Sequence, residues 1–438
     1  MAINFNKLEK EIKERGEVIH LDNGATLIFE HVPNFGLSWG RHLILAGSAH
    51  ETRKNSGAMH FLEHMVFGDS KNHPDEIERM LKQNFLGMDI NASTGHYMTN
   101  FPIAGNNDSN YLLNTNFLNC FKLVSDSLFY PNLSKETFER ERKIVEREIM
   151  LSEGKKNSDP YWDITKKINK KLYSANPITF IDTLGDLKSL ESLTLETLKK
   201  YHSKFYVGEN LVFGAVGDFK DKKIKTKIIS DLEKIPKGEK AKKIKFNEQP
   251  AYDDFCKYDL VTGNAKDSIV DIYFKVPSDE SVEGTYVPYL CRILGGGMNS
   301  LLFQELRFKN KLVYSVGANS FQRAKTNIIR LHYEISPDKL EESLDSVNSA
   351  ITKLKQGDFD DSLVEACKAS YLPQTMFALQ IPGWIHTELY ERNKRERFGD
   401  ETTGLDKVKL SLNITKKDVV DFANKYLTTS SRFVINHN

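Results

Sequence analysis

The chain has 438 residues, enough for two or three domains of about 150 residues each. Hydrophobic residues make up 39% and charged residues 28%, which excludes wholesale disorder, and no run approaches the roughly 18 apolar residues of a membrane helix. Lys and Arg (61) balance Asp and Glu (60) to a formal charge of +1, so the electrostatic footprint of a protein that works on nucleic acid or on an anionic membrane is missing.

The first twenty residues mix acids and bases and lack both the apolar core of a secretory signal and the acid-poor, Arg-rich character of an import sequence, so a cytoplasmic protein is expected. Ala25–His31 reads as a strand after the turn signal Asp22-Asn23-Gly24, and Trp39–Ala46 as a second. Helical periodicity takes over at Ala58. Pro74–Gln83 is an amphipathic segment with its acids first, Gly87–Pro102 reads as a strand around Asn91–Thr94, and Asn116–Phe129 is a helix ended by Pro131. Ser134 is placed to cap a long helix from Lys135 to Leu151.

From Lys220 to Lys245 the chain is rich in lysine and poor in apolar residues, which reads as a solvated linker and a polar helix face rather than a nucleic-acid patch. A strand at Ser268–Val276 opens the second half. A weak repeat joins the halves: the helix from Thr194 with the strand Asn210–Ala215 resembles the helix from Thr415 with the strand Ser431–Ile435. The expected fold is therefore α+β, two homologous domains that are each a mostly antiparallel sheet with helices packed on one face. Residues 1–230 form the first, 231–250 a linker and 251–438 the second. Cys120, Cys256, Cys291 and Cys367 lie far apart, so neither a thiolate zinc site nor a disulfide framework is expected.

The segment Gly57-Ala-Met-His60-Phe61-Leu62-Glu63-His64-Met65-Val66-Phe67 carries the chemistry. On a helix His60 and His64 are one turn apart on the same face, so two imidazoles can converge on one metal ion, with Glu63 projecting from the same turn. This H-x-x-E-H order inverts the familiar H-E-x-x-H signature. The apolar neighbours make the helix a buried one, and two histidines and a glutamate there need partners that a metal ion would supply. A third ligand is required. The helix from Lys135 offers Glu136, Glu139, Glu141, Glu146 and Glu148; at about 100° per residue only Glu141 and Glu148 fall on or beside the face defined by Phe138, Val145 and Ile149.

These residues resemble the pitrilysin and insulysin family of inverted-motif zinc peptidases, which includes the mitochondrial processing peptidase subunits and short bacterial relatives. The resemblance rests on Gly47-Ser48, the His60 segment, and Glu141-Arg142-Lys-Ile-Val-Glu-Arg-Glu148. It implies the processing-peptidase type of metallohydrolase fold, one zinc ion per chain held by His60, His64 and Glu148, and Glu141 as the carboxylate that orients a histidine. It further implies Glu63 as the general base, and Asn91-Ala92-Ser93-Thr94 as the edge strand that holds a peptide by main-chain hydrogen bonds. Leu301 to Val316 is similar to the element that brings an arginine and a tyrosine to the site, here Arg307 and Tyr314. By the same resemblance the activity is that of a zinc metalloendopeptidase, with a non-catalytic peptide-binding or scaffold subunit as the alternative.

The second half carries no H-x-x-E-H; Gly284–Leu290 stands where the repeat would place one. Short members of the family pair two chains, so the resemblance implies a homodimer in which Arg307 and Tyr314 of one chain serve the zinc of the other. Gly68-Asp69-Ser70 departs from the usual Gly-Thr after the zinc helix, and the interval from His64 to Glu148 is several residues longer than usual. Gly295-Gly296-Gly297 has no P-loop lysine and reads as a helix entry; His73 reads as a turn residue before Pro74, His96 as a loop residue, and His50 lies too early for the zinc helix.

Overall fold

Strands form where β-branched and aromatic residues run between turn signals. In the computed structural model, which describes residues 3–88, 91–103, 111–176, 182–219, 222–247, 249–250, 252–260, 267–323 and 325–437, the chain divides into two compact units. Unit 1 comprises Met1–Lys155, Phe180–Ile244 and Gln380–Tyr390, and unit 2 comprises Lys156–Thr179, Lys245–Leu379 and Glu391–Asn438.

Unit 1 holds a seven-stranded sheet. Its strands are β1 (Gly16–His20), β2 (Thr26–His31), β3 (Leu37–Ile44), β4 (Ser93–Thr94), β5 (Thr99–Pro102), β6 (Leu112–Leu113) and β7 (Leu211–Gly217), in the order β1-β2-β7-β3-β5-β4 with β6 beside β3. All pairs are antiparallel except β2 with β7. The turn between β1 and β2 requires Gly24, which takes a φ of 89°. Helices Ala58–Val66, Asn114–Phe129 and Leu195–Phe205 supply Phe61, Phe117, Phe121 and Leu198 to the core against Leu27, Phe29 and Phe213 of the sheet. The other face is crossed by the Gln380–Tyr390 segment: the His386 ring sits edge-on to Trp39 at 5.0 Å, over the bare backbone of Gly214.

Unit 2 repeats the plan. Strands β8 (Asp254–Leu260), β9 (Ser268–Val276), β10 (Val316–Arg323), β11 (Thr326–Ile335) and β12 (Ser431–His437) run in the order β10-β11-β9-β12-β8, antiparallel except for β12 with β8. Strand for strand, β2-β7-β3-β5-β4 and β8-β12-β9-β11-β10 have the same order and the same pair directions. The helices Leu195–Phe205 and Lys416–Tyr426 that lead into β7 and β12 are both capped by a threonine, Thr194 and Thr415, each accepting the amide three residues on. The α+β, two-sheet architecture is thus realised, with the repeat that the two Thr-capped helices announce. Helix Val287–Gly295 stands in unit 2 where Ala58–Val66 stands in unit 1, without histidine or glutamate.

The units differ from the expected division at 230 and 250 by two segments. Helix Trp162–Leu172, expected in the first domain, belongs to unit 2: its stripe Ile164, Ile168 and Leu172 is buried in a cluster with Tyr273, Phe433 and Ile435, and the Tyr252 hydroxyl donates to the Leu172 carbonyl at 2.6 Å. Gln380–Tyr390 makes the opposite transfer. The stretch expected as linker is pinned to unit 1 as far as Ala241, through Asn23 to Leu232 and Ile235, and through Asn210 to Ala241. The helix expected over Lys135–Leu151 runs on to Ser158, and Ser134 does cap it, accepting the Thr137 amide at 3.2 Å. The single strand expected over Gly87–Pro102 is, among the described residues, two strands paired antiparallel, Ser93–Thr94 and Thr99–Pro102. No described helix is long and apolar enough to cross a membrane.

Candidate metal centre

The nine-residue helix Ala58–Val66 is too short to be stable by itself and is held by packing. Phe61, Leu62, Met65 and Val66 are fully buried. The Phe61 ring stacks on Phe138 at 5.1 Å with 21° between planes, which fixes this helix against Lys135–Ser158. Three residues beyond each ring stand His64 and Glu141, so one aromatic contact sets the spacing of the polar groups. Replacing a buried Phe with Ala costs about 3–5 kcal/mol, and here the loss would also move the site.

The polar groups converge. Glu148 Oε2 lies 3.6 Å from His60 Nε2 and 3.6 Å from His64 Nε2, and the three ligating atoms all lie within 4.8 Å of one another. Among the described residues this is the one such trio of His, Cys, Asp or Glu side chains. These separations are too long for hydrogen bonds. They suit ligands around a shared ion, since tetrahedral bonds of about 2.1 Å place neighbouring ligand atoms about 3.4 Å apart. Two imidazoles and one carboxylate are also a catalytic zinc donor set that leaves one position open. Glu148 keeps 40% of its side chain exposed, so the trio is not sealed from solvent.

Electrostatics prepare the set. Burial, reinforced by the neighbouring His64, lowers His60 to about 4, so its ring is neutral and its lone pair free. His64 is also buried, but the hydrogen bond to Glu141 and the charges of Glu148 and Glu63 outweigh burial and hold it above the usual histidine range. Glu141 Oε2 stands 3.3 Å from His64 Nδ1, turning the other nitrogen towards Glu148; Arg140 holds the remaining Glu141 oxygen at 3.0 Å. His60 Nδ1 is buried with no hydrogen-bond partner among the described residues.

Glu63 is buried on the same helix. Burial pushes its carboxyl up and the Glu148 charge adds to this, while the Thr94 hydroxyl, which donates to Glu63 Oε2, works against it. The structure thus gives Thr94, expected only in peptide binding, a second contact. Strand β4 lies at the edge of its sheet: Ser93 and Thr94 pair with Asn100 and Thr99, and no described strand covers the other side. Asn91 and Ala92 precede the strand, with the Asn91 side chain accepting the Ala92 amide.

Arg307 and Tyr314 belong to unit 2. Arg307 sits in the π-helical turn Phe303–Lys309, donates to the Tyr314 carbonyl and lies 4.6 Å from the Tyr314 ring; Tyr314 itself is 83% exposed. Gly68-Asp69-Ser70 has a structural role: Asp69 accepts from Asn132, Ser134 and Thr137 at the start of the Lys135 helix.

Two residues near the site carry no mark in the sequence. Glu51 accepts backbone amides at the start of the His60 helix. Tyr206, whose hydroxyl is buried without a partner among the described residues, is held protonated by burial and then by the charge of Glu63. A lone acid in a loop and a tyrosine at a helix end have no spacing signal.

Residues 41–176 match the family profile described as "Insulinase (Peptidase family M16)", and residues 192–371 match "Peptidase M16 inactive domain". The first span contains the trio, Glu63 and Glu141; the second contains Arg307 and Tyr314. A curated relative, an "Uncharacterized zinc protease" of Rickettsia felis, is 24% identical over 430 residues, which is 96% of this chain and 98% of that protein. The solved structure of a protease from Helicobacter pylori matches with a TM-score of 0.72 at 20% identity, over 96% of this chain and 99% of that one. The periplasmic protease PqqL from Escherichia coli matches with a TM-score of 0.76 at 16% identity, over 97% of this chain and 48% of that one.

Proposed function

The chain belongs to the M16 family of peptidases, and from that premise we propose that it is a zinc-dependent endopeptidase that cleaves peptides or unfolded segments held as an added β-strand. The observation that carries this reading is the trio His60, His64 and Glu148, spaced for one ion, with Glu63 on the same helix. Zinc held there supplies Lewis acidity to a water molecule and a peptide carbonyl, lowering the water's pKa towards about 7.

Glu63 does the proton work. One of its oxygens is held by Thr94, and the other is left to take the proton of the attacking water and return it to the departing amine. The upward push of burial suits the first duty, because a carboxylate of raised pKa is a stronger base towards the water and holds the proton until the amine departs. The free edge of β4 offers main-chain donors and acceptors to an extended peptide, so affinity is largely independent of its sequence.

Arg307 and Tyr314 act in this reading as hydrogen-bond donors to the developing oxyanion or the adjacent carbonyls, contributed by the second chain of a homodimer. Two features support the dimer: unit 2 repeats the fold without the trio, and this chain matches about half the length of PqqL.

The direct test measures zinc content and cleavage of a quenched peptide library in wild type and Glu63→Gln. Zinc retained with cleavage lost is the expected result; undiminished cleavage by the variant overturns the mechanism.

A further inference from the structure

The His60 helix starts in an unusual way. Its cap, Gly57, has a φ of 83°, and a Cβ there would stand 2.6 Å from the Leu184 carbonyl oxygen, so glycine is required. A glycine has no side chain with which to satisfy the first-turn amides, which the helix itself leaves unpaired. Glu51, six residues upstream, supplies what the cap cannot. Its Oε2 accepts the Gly57 amide at 2.9 Å and its Oε1 accepts the Met59 amide at 2.6 Å.

Glu51 is 8% exposed, so these bonds are shielded from water, and an acidic group there faces the positive end of the helix dipole. The arrangement survives either charge state. Burial pushes the carboxyl up to about 8 against the pull of the two amides, yet each oxygen keeps a lone pair for its amide. His60 follows Met59 directly, and Glu63 and His64 come within the next turn.

We infer that Glu51 is a positioning residue for the reaction: by fixing where the helix begins, it seats His60, Glu63 and His64 against Glu148. This rests on the zinc-peptidase reading above. Glu51→Gln is the informative variant, because it keeps the size and one acceptor but turns the other oxygen into an NH2 group facing a backbone N–H. Three quantities are measured in chains with wild-type circular dichroism: zinc affinity by chelator competition, and kcat and KM on a quenched peptide at saturating zinc.

Zinc affinity is expected to fall about 10-fold or more, as when partners that orient metal ligands are lost. At saturating zinc kcat per zinc-loaded site falls about 10-fold and KM stays within about twofold; loss of folded protein alone would lower total activity at unchanged KM but leave kcat per loaded site and zinc affinity at wild-type values. If Glu51→Gln does not fold, Glu51→Asp, which keeps both acceptors on a shorter arm, is expected to show the same losses in smaller measure. Wild-type zinc affinity and kcat in either folded variant overturn the inference. A wild-type chain that neither binds zinc nor cleaves peptide overturns the peptidase reading alone; hydrogen exchange at the Met59 amide then decides the role of Glu51, and it must speed up in Glu51→Gln.

Discussion

The His64 imidazole is gripped from behind by Glu141: Glu141 Oε2 stands 3.3 Å from Nδ1, while Nε2 of the same ring faces Glu148 at 3.6 Å. The contact fixes the ring's aim, and a metal at Nε2 would take the place of the proton that the surrounding carboxylates favour there. Glu141→Gln keeps the side chain's length but removes the charge. Zinc affinity, read by chelator competition, is expected to drop about 10- to 100-fold, with much of the activity returning when zinc is in excess. Unchanged affinity would mean that Glu141 serves only Arg140.

The core of unit 1 carries an acid-sensitive residue. His42 is fully buried among Phe121, Phe129 and Phe213, bonded to the Ser125 hydroxyl at 2.9 Å, and burial lowers it to about 3. The sign follows from linkage. Between pH 6.5 and 3 the unfolded chain takes up a proton on this histidine and the folded chain does not, so stability falls as pH falls through that range. At pH 5 the loss from His42 alone is about 2 kcal/mol. His42→Leu is expected to flatten the decline of the thermal midpoint between pH 6.5 and 4.5; an unaltered slope would show that other groups control it.

How much of this was legible follows from what periodicity encodes. His60 with His64, and Glu141 with Glu148, share helix faces by spacing alone, and the structure brings both pairs together. Spacing cannot say which sheet a stripe will cover. Ile164, Ile168 and Leu172 announce a buried face, but only the aromatic surface of β9 and β12 explains why it lies in unit 2. Helix Glu76–Phe85 is the sharper case. It is amphipathic as expected, yet Arg79 and Gln83 are its buried residues, while Ile77, Met80, Leu81 and Phe85 are exposed. Arg79 is drawn inward because its guanidinium donates to the Phe67 carbonyl at the end of the His60 helix. Glu51 was invisible for a related reason: its partners are backbone amides, which leave no mark on sequence.

Metal binding should register as stability. A ligand that binds only the folded chain adds about 2.7 kcal/mol at 100 times its Kd. For a unit of this size that raises the thermal midpoint by about 5–10 °C. Stripping the metal with a chelator should reverse the gain, and Glu148→Ala, which removes one ligand, should abolish it. An equal zinc-induced shift in Glu148→Ala would place the ion elsewhere.

Completion of the site by a second chain is open to a mixing experiment. Glu63→Gln chains lack the general base, and Arg307→Ala chains lack a donor whose loss is expected to cost on the order of 100-fold in turnover. Each variant alone should be nearly inactive. In a dimer of one Glu63→Gln and one Arg307→Ala chain sharing sites in trans, one site receives both defects and the other neither. Random mixing makes half of all dimers of this kind, each with one whole site of two, so activity should recover to about a quarter of the wild-type value per chain, with excess of either variant lowering it. If each chain completes its own site, every site in the mixture carries one defect and no recovery follows. Complementation therefore separates the two arrangements whatever the natural substrate, since any peptide that wild type cleaves will report it.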